Sequence, residues 1–245
     1  MKNWAGNHEY RARRLHEPRS LEEAQETIRG AARIRVLGSR HSFNDLADTS
    51  GALITLAGLP RFLNIDPETS SVTVDGAIRY GELCPALHEA GFALHAMASL
   101  PHISIAGACA TASHGSGDRS SVLSAAVSAM EVVRADGEVV ELSREGDRDT
   151  FEGAVVGLGA LGVVTRLTLD VEPTFNVRQD VYERLPGAAF ASHFDEITAS
   201  AESVSFFTTW RDRAFDQVWL KRRVARSGGA TTVPPELYGA PLATR

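Results

Sequence analysis

Cysteine, positive charge and long apolar runs are all scarce in this sequence. Two cysteines, Cys84 and Cys109, stand among 245 residues, too few for a disulfide framework or a cysteine-based zinc site. The 25 basic against 31 acidic residues give a net charge of −6, which argues against a nucleic-acid surface. No run approaches the roughly 18 apolar residues of a membrane span, and residues 1–10 lack the apolar core of a signal peptide. We therefore expect a cytoplasmic protein without a membrane span.

Motifs of several enzyme classes are also missing. The chain has no GxSxG elbow and no GxxxxGK[ST] phosphate loop, so neither a serine hydrolase of that type nor a P-loop enzyme is indicated. His95, His102 and His114 fall within twenty residues. They lack HExxH or CxxC spacing, and no carboxylate lies between residues 95 and 117, so no metal site is predicted.

Local patterns predict an α+β chain rather than repeating βαβ units. Ser20 suits the cap of a helix, and Asp136-Gly137 suits a tight hairpin turn. The predicted helices are 20–31, 79–90, 150–156 and 188–199, and the predicted strands are 33–37, 52–57, 62–65, 72–74, 126–133, 138–142, 163–171, 176–183, 204–210 and 217–224.

Two stretches rich in small residues are candidates for ligand-binding loops. Residues 36–43, VLGSRHSF, run from a buried strand into a loop that carries one cation and His41. Such a loop allows the backbone to approach a phosphate-bearing ligand closely. Residues 98–117 are almost wholly glycine, alanine, serine, threonine and histidine. They form either a second wall of a ligand cradle, with backbone N–H groups as donors, or simply a tightly packed loop or helix pair.

Residues 157–162, GLGALG, match the dinucleotide fingerprint GxGxxG. The fingerprint should follow a strand and open a helix, whereas here a predicted helix precedes it and a strand follows. We therefore interpret it as a glycine-rich turn that approaches a ligand or a neighbouring strand.

Six blocks together are more specific than any one motif. They are NWAGN (3–7), VLGSRHSFN (36–44), ASLPHISIAG (98–107), ATASHGSG (110–117), GALGVVT (159–165) and QVWLKRR (217–223). In this order they resemble the alditol oxidases, among them the xylitol and sorbitol oxidases, of the vanillyl-alcohol-oxidase flavoprotein superfamily.

The resemblance implies an α+β fold in which two subdomains of a vanillyl-alcohol-oxidase (PCMH) type domain bind FAD. It also implies a covalent bond between FAD and His41, and a substrate contact at Ser99. Carried over by position, the expected cofactor contacts are Val36, Leu37, Gly38, Ser39, Arg40, His41, Ser42, Ser99, Ser104, Gly107, Thr111, Ala112, Ser113, His114 and Val164. Arg40 departs from relatives that have glycine there, and its cation could pair with pyrophosphate or with a carboxylate.

The implied reaction oxidises the primary alcohol of a sugar alcohol with dioxygen, giving an aldose and hydrogen peroxide. One alternative is an aldonolactone oxidase of the D-arabinono-1,4-lactone type, which shares the histidine loop. Another is a flavin-binding chain without turnover, or a plain structural domain. We expect a monomer whose partners are a small polyol and dioxygen.

The resemblance also suggests a domain plan. Residues 1–172 would form the FAD-binding domain and residues 173–225 the beginning of an α+β substrate domain. Residues 226–245, rich in glycine, proline, threonine and alanine, would be a disordered tail. In the family, the glutamate, arginine and lysine residues that anchor the substrate lie further along the substrate domain. No catalytic residue is therefore expected with certainty within this chain, and its activity as given is in doubt.

Overall fold

The computed structural model describes residues 1–146, 148–225 and 232–244. The chain forms two compact units. One comprises Met1–Ser113 and Val122–Pro173, and the other comprises His114–Ser121 and Thr174–Arg245. The predicted α+β class is confirmed, because both helices and β-sheets occur in each unit.

The N-terminal unit carries two main sheets. Its strands are β1 (Arg14–His16), β2 (Ile34–Val36), β3 (Ala52–Ile54), β4 (Leu63–Asp66), β5 (Ser71–Asp75), β6 (Phe92–Ala93), β7 (Val127–Val133), β8 (Val139–Ser143), β9 (Val163–Asp170) and β10 (Glu172–Pro173). A small parallel sheet has the order β1-β3-β2, and an antiparallel sheet has the order β4-β5-β9-β7-β8. Strands β6 and β10 form a separate antiparallel pair.

Helices cover these sheets. They are α1 (Leu21–Gly30), α2 (Tyr80–Glu89), α3 (Ile105–Ala110) and α4 (Arg148–Ala154), with a 3-10 helix at Leu123–Ala126. Helix α1 begins as predicted, because the Ser20 side chain accepts a hydrogen bond from the Glu23 N–H at 3.2 Å and so satisfies a free donor of the first turn. Its buried Ala24 and Ile28 pack with Ile54 in one apolar cluster.

A larger apolar core lies against the five-stranded sheet. Val72 and Val74 of β5 and Leu83 of α2 are fully buried in it. Removal of such side chains from water supplies most of the free energy that stabilises a unit of this size. Helices α2 and α3 pack on this core, and so do Leu94, Ala98 and Ile103 of the segment that joins them.

The C-terminal unit is built on an antiparallel sheet of order β11-β13-β12. Its elements are β11 (Asn176–Pro186), α5 (Gly187–Ser192), α6 (Phe194–Thr198), β12 (Ser203–Phe207), β13 (Ala214–Val224), β14 (Glu236–Leu237) and β15 (Ala240–Pro241). The single helix predicted at 188–199 is wrong, because His193 takes φ −127° and ψ 30° and separates α5 from α6.

Two parts of the predicted domain plan need correction. Residues 114–121 belong to the C-terminal unit, where Ser116 Oγ lies 2.8 Å from Ser205 Oγ. Residues 232–244 are not a disordered tail, since β14 and β15 pair and Ala240 is fully buried. Non-local contacts hold this segment, including a 2.9 Å hydrogen bond from Tyr182 Oη to the Pro234 carbonyl. The remainder of the predicted tail, 226–231 and 245, lies outside the described residues.

Across the described residues, no helix is both long enough and apolar enough to cross a membrane.

Candidate functional site

A cavity of about 660 Å³ lies within the N-terminal unit. Its volume falls inside the range of about 300–1,000 Å³ that is usual for small-molecule and cofactor sites. Three stretches supply about half of its lining residues, namely residues 35–44, 106–111 and 157–159. The two small-residue stretches singled out in the sequence and the glycine-rich turn therefore meet around one space.

Ser39 and Ser104 join two walls of this cavity. The Ser104 N–H donates to Ser39 Oγ at 3.1 Å, and the Ser39 N–H donates to Ser104 Oγ at 3.3 Å. Gly38 and Gly107 lie so close to this pair that a Cβ on either one would come within 2.7 Å of Ser104 Oγ. Both positions therefore require glycine for close approach, as a backbone cradle does.

Helix α2 brings a further arginine to the same place. The backbones of Arg79 and Ser104 form an isolated antiparallel bridge, and the Ile105 N–H donates to the Ile78 carbonyl at 3.0 Å. Arg79 thus lines the cavity together with Arg35 and Arg40. Three guanidinium-bearing residues around one cavity favour an anionic ligand, because arginine presents several donors to phosphate.

His41 lies two residues after Ser39 and lines the cavity. Its ring is 4.6 Å, centroid to centroid, from the Trp4 ring and 4.6 Å from the His102 ring. Its Nε2 atom is buried and has no hydrogen-bond partner among the described residues. A buried polar atom without a protein partner is costly in a folded protein and calls for an explanation, such as a role in ligand binding.

The surroundings of His41 keep its imidazole neutral. Burial lowers the pKa of His41 below its ordinary value of 6.5, and the nearby His102 lowers this pKa further. Burial acts in this direction because it disfavours the charged imidazolium. A neutral imidazole has one ring nitrogen with a free lone pair, so His41 can act as a nucleophile at neutral pH.

The backbone of Arg40 is unusual for its residue type. Its φ is +63°, in the left-handed region that favours glycine. A glycine at this position would adopt this φ without strain. The Arg40 guanidinium donates to the Lys2 carbonyl through Nη1 at 3.4 Å, so it is partly occupied by the N-terminal segment.

The glycine-rich turn follows α4 and precedes β9, as interpreted from the sequence. Gly162 has φ +149°, and a Cβ there would collide with the Val133 carbonyl. The Leu158 N–H donates to the Ala110 carbonyl at 3.0 Å, which fixes the turn at the end of α3. The turn approaches both a strand and the cavity wall, and it does not open a helix as a Rossmann fingerprint does.

Most of the predicted cofactor contacts line this one cavity. These are Val36, Leu37, Gly38, Ser39, Arg40, His41, Ser42, Ser104, Gly107, Thr111, Ser113 and Val164. Ser99, which is exposed, and Ala112 do not line it, and His114 belongs to the C-terminal unit. Sequence reasoning assigned no role to Trp4, Arg35 or Arg79, although Trp4 stands in the NWAGN block.

Comparison with known proteins gives the family. A family model described as an FAD binding domain matches residues 12–143, which include the serine pair and His41. The chain belongs to this FAD-binding domain family. The resemblance and the FAD-binding domain of the vanillyl-alcohol-oxidase (PCMH) type are thereby confirmed.

Individual relatives are oxidoreductases of sugar derivatives. An alditol oxidase of Streptomyces sp. (strain IKD472 / FERM P-14339) is 46% identical over 224 residues, which are 90% of this chain and 53% of the relative. An L-gulono-1,4-lactone dehydrogenase of Mycobacterium tuberculosis (strain CDC 1551 / Oshkosh) is 38% identical over 84% of this chain and 48% of the relative. A D-arabinono-1,4-lactone oxidase of Kluyveromyces lactis is 28% identical over 96% of this chain and 44% of the relative. The chain spans about half the length of these relatives.

Proposed function

We propose that this chain belongs to an FAD-dependent oxidase that converts the primary alcohol of a sugar alcohol into an aldose, with dioxygen as the electron acceptor. The observation that carries the proposal is the orphaned, buried Nε2 of His41 at the wall of the cavity. The choice of an alditol rests on the relative named alditol oxidase, which matches 90% of this chain.

The residues around the cavity fit FAD. The Ser39–Ser104 pair, with its adjacent glycines, offers a surface to which a ligand can lie close. Arg35, Arg40 and Arg79 line the same cavity and would balance the negative charge of the pyrophosphate. Bound FAD supplies a hydride acceptor that dioxygen reoxidises with release of hydrogen peroxide.

His41 would form a covalent bond to the 8α-methyl carbon of FAD. One C–H bond and the ring N–H are lost, a C–N bond forms, and the two hydrogens leave with dioxygen as hydrogen peroxide. The chain contributes a neutral imidazole, which burial and His102 favour, and a loop that holds the ring at the cavity. A covalent tether would prevent loss of the cofactor.

Ser99 is proposed to contact the polyol. It is exposed and stands just before the loop that leads to His102 and Ser104. Its hydroxyl can donate a hydrogen bond to a hydroxyl of the substrate or accept one from it. A serine hydroxyl is too weak a base to remove the proton of the substrate hydroxyl unaided. We therefore propose no catalytic residue among the described residues.

A second candidate substrate is an aldonolactone. The relatives named L-gulono-1,4-lactone dehydrogenase and D-arabinono-1,4-lactone oxidase favour it, and both cover most of this chain. We rank it second because the relative named alditol oxidase shares a higher identity.

Peroxide release tests the proposal. Protein expressed with excess FAD would be supplied with xylitol, sorbitol or an aldonolactone, and hydrogen peroxide would be measured with a coupled peroxidase. Peroxide with the polyols alone supports alditol oxidation, and peroxide with the lactone alone supports the second candidate. A protein that binds FAD and releases no peroxide with any of them would be a flavin-binding chain without turnover.

We also propose a cytoplasmic monomer. Cys84 and Cys109 are free thiols, which suits a reducing compartment. Light scattering of the purified protein across a range of concentrations would test the monomer directly, and a mass that rises with concentration would contradict it.

A further inference from the structure

The N-terminal segment of residues 2–7 is tied to the loop that carries His41. Hydrogen bonds reach backbone carbonyls on both sides of this histidine. They run from the Trp4 N–H to the Arg40 carbonyl, from Asn3 Nδ2 to the Ser42 carbonyl and from Asn7 Nδ2 to the Phe43 carbonyl, each at 2.9 Å. The segment therefore fixes the path of the chain immediately before and after His41.

The segment is itself a folded turn. The Gly6 N–H donates to the Asn3 carbonyl at 3.1 Å, with Gly6 at φ +74°. Asn3 is 5% exposed; its Oδ1 accepts from the His8 N–H at 3.1 Å, and its Nδ2 also donates to Asn7 Oδ1 at 2.7 Å. A buried asparagine with this many partners restricts the turn to one conformation.

Trp4 stands out within this turn because it remains 52% exposed. Its indole stacks on the His41 ring at 4.6 Å between centroids and 27° between planes, and it also lines the cavity. Stacked aromatic rings hold each other in a preferred orientation. This large ring therefore remains half exposed and yet makes a specific contact with His41.

We propose that Trp4 is a positioning residue for His41, and that the turn of residues 3–7 holds the imidazole in the orientation in which FAD becomes attached. The inference rests on the proposed covalent attachment at His41. It adds no chemical step, because Trp4 acts only through the geometry and hydration of the imidazole. Pre-organisation of a reacting group of this kind can change a rate by about a hundredfold for a displacement near 1 Å.

The charged and titratable groups around His41 are few. Within the described part of the chain, His102 is the one whose charge bears on His41. The neighbouring Arg40 directs its guanidinium to the Lys2 carbonyl. Loss of the Trp4 ring would therefore change the hydration of His41 more than its electrostatic surroundings.

The first test follows covalent attachment. Wild-type protein, Trp4→Ala, Trp4→Phe and Trp210→Ala would be prepared free of flavin and mixed with saturating FAD, and flavin fluorescence of the denatured protein would be followed with time. Trp4→Ala should attach FAD about tenfold to a hundredfold more slowly, and Trp4→Phe should restore most of the rate. Trp210→Ala is the matched control, since Trp210 is 85% exposed and lies in the C-terminal unit.

The second test needs no FAD. Spectra of ¹⁵N-labelled histidine in the flavin-free proteins would give the pKa and tautomer of His41, whose signal is identified by its loss in His41→Gln. In wild-type protein the pKa should be below 6.5, and a ring held in one orientation should favour one tautomer. In Trp4→Ala water would reach the ring, so the pKa should rise toward 6.5 and the tautomers should mix. Trp210→Ala should match wild type.

These experiments separate two kinds of failure. Attachment to wild-type protein and to Trp4→Ala at equal rates would overturn the positioning role and leave attachment at His41 standing. No attachment to wild-type protein would overturn the proposed attachment. In that case an unchanged pKa and tautomer of His41 in Trp4→Ala would overturn the positioning role as well.

Discussion

Substitution of Gly38 by alanine tests the cradle in which two glycines approach Ser104. The added Cβ would lie 2.7 Å from Ser104 Oγ, well inside the roughly 3.5 Å at which non-bonded heavy atoms attract best. Ser104 is 4% exposed and has little room to move. Gly38→Ala should therefore lower the free energy of unfolding by about 1–3 kcal/mol, the usual cost of overpacking.

A double-mutant cycle makes the expectation sharper. Ser104→Ala removes the colliding oxygen, and the nearest remaining atom, the Cβ of residue 104, lies 3.8 Å from the Cβ added at Gly38. Alone, Ser104→Ala should cost about 1–3 kcal/mol, because the Ser39 N–H loses its acceptor. The double variant should lose less than the sum of the two, with a coupling of about 1–2 kcal/mol.

Urea unfolding of the flavin-free proteins, followed by tryptophan fluorescence, measures these differences. Gly153→Ala is the control, because Gly153 lies within α4 and a Cβ there meets nothing within 4 Å. It should leave stability unchanged or raise it by up to about 1 kcal/mol. Losses from Gly38→Ala and Ser104→Ala that add within about 0.5 kcal/mol would refute the argument from close approach.

Three further changes have defined outcomes. Gly162→Ala should cost about 2–4 kcal/mol in urea unfolding, since φ is +149° and the methyl group meets the Val133 carbonyl; a loss below about 1 kcal/mol, the size of an ordinary substitution, would contradict this. Asp48→Asn should cost about 1–3 kcal/mol. Burial raises the pKa of Asp48, but hydrogen bonds from Arg11 outweigh it and hold the pKa below 3.8. The ionised Asp48 therefore stabilises the folded protein above pH 3.8, and this stabilisation is lost as the pH falls through the lowered pKa. The free energy of unfolding of Asp48→Asn, measured against pH, should show no such loss. Arg40→Gly should raise the free energy of unfolding by about 0.5–1 kcal/mol, because it relieves the strain of a left-handed φ of +63°. A lower melting temperature would show that the contacts of the Arg40 guanidinium stabilise the fold by more than this backbone strain costs.

Local sequence patterns predicted those elements whose stabilising interactions are local. The apolar run before Gly38 predicted β2 and the loop after it, and Ser20 predicted the start of α1. Asp136-Gly137 predicted the hairpin of β7 and β8, in which Gly137 has φ +80°. Each of these signals depends on residues a few positions apart, which is why the sequence alone reveals them.

Elements that depend on distant contacts were missed. Helix α3 lies in a stretch of small residues with little apolar periodicity, so the sequence indicates a helix there only as one alternative and without bounds. Strands β6 and β10 were missed, because each has two residues and the two strands are far apart in the sequence. The segment 232–244 has a composition typical of disorder, but its burial against β11 gives it a fixed structure. The contact between Trp4 and His41 likewise spans segments whose proximity no local pattern encodes.

The most direct test of the central claim is mass spectrometry of peptides from denatured, proteolysed protein after expression with excess FAD. The peptide that contains His41 should carry the mass of FAD less two hydrogens, and fragmentation should place this mass on the histidine ring. His41→Ala should give the same peptide without the flavin. Complete release of FAD on denaturation, or its attachment to His102 or His114 instead, would contradict the claim.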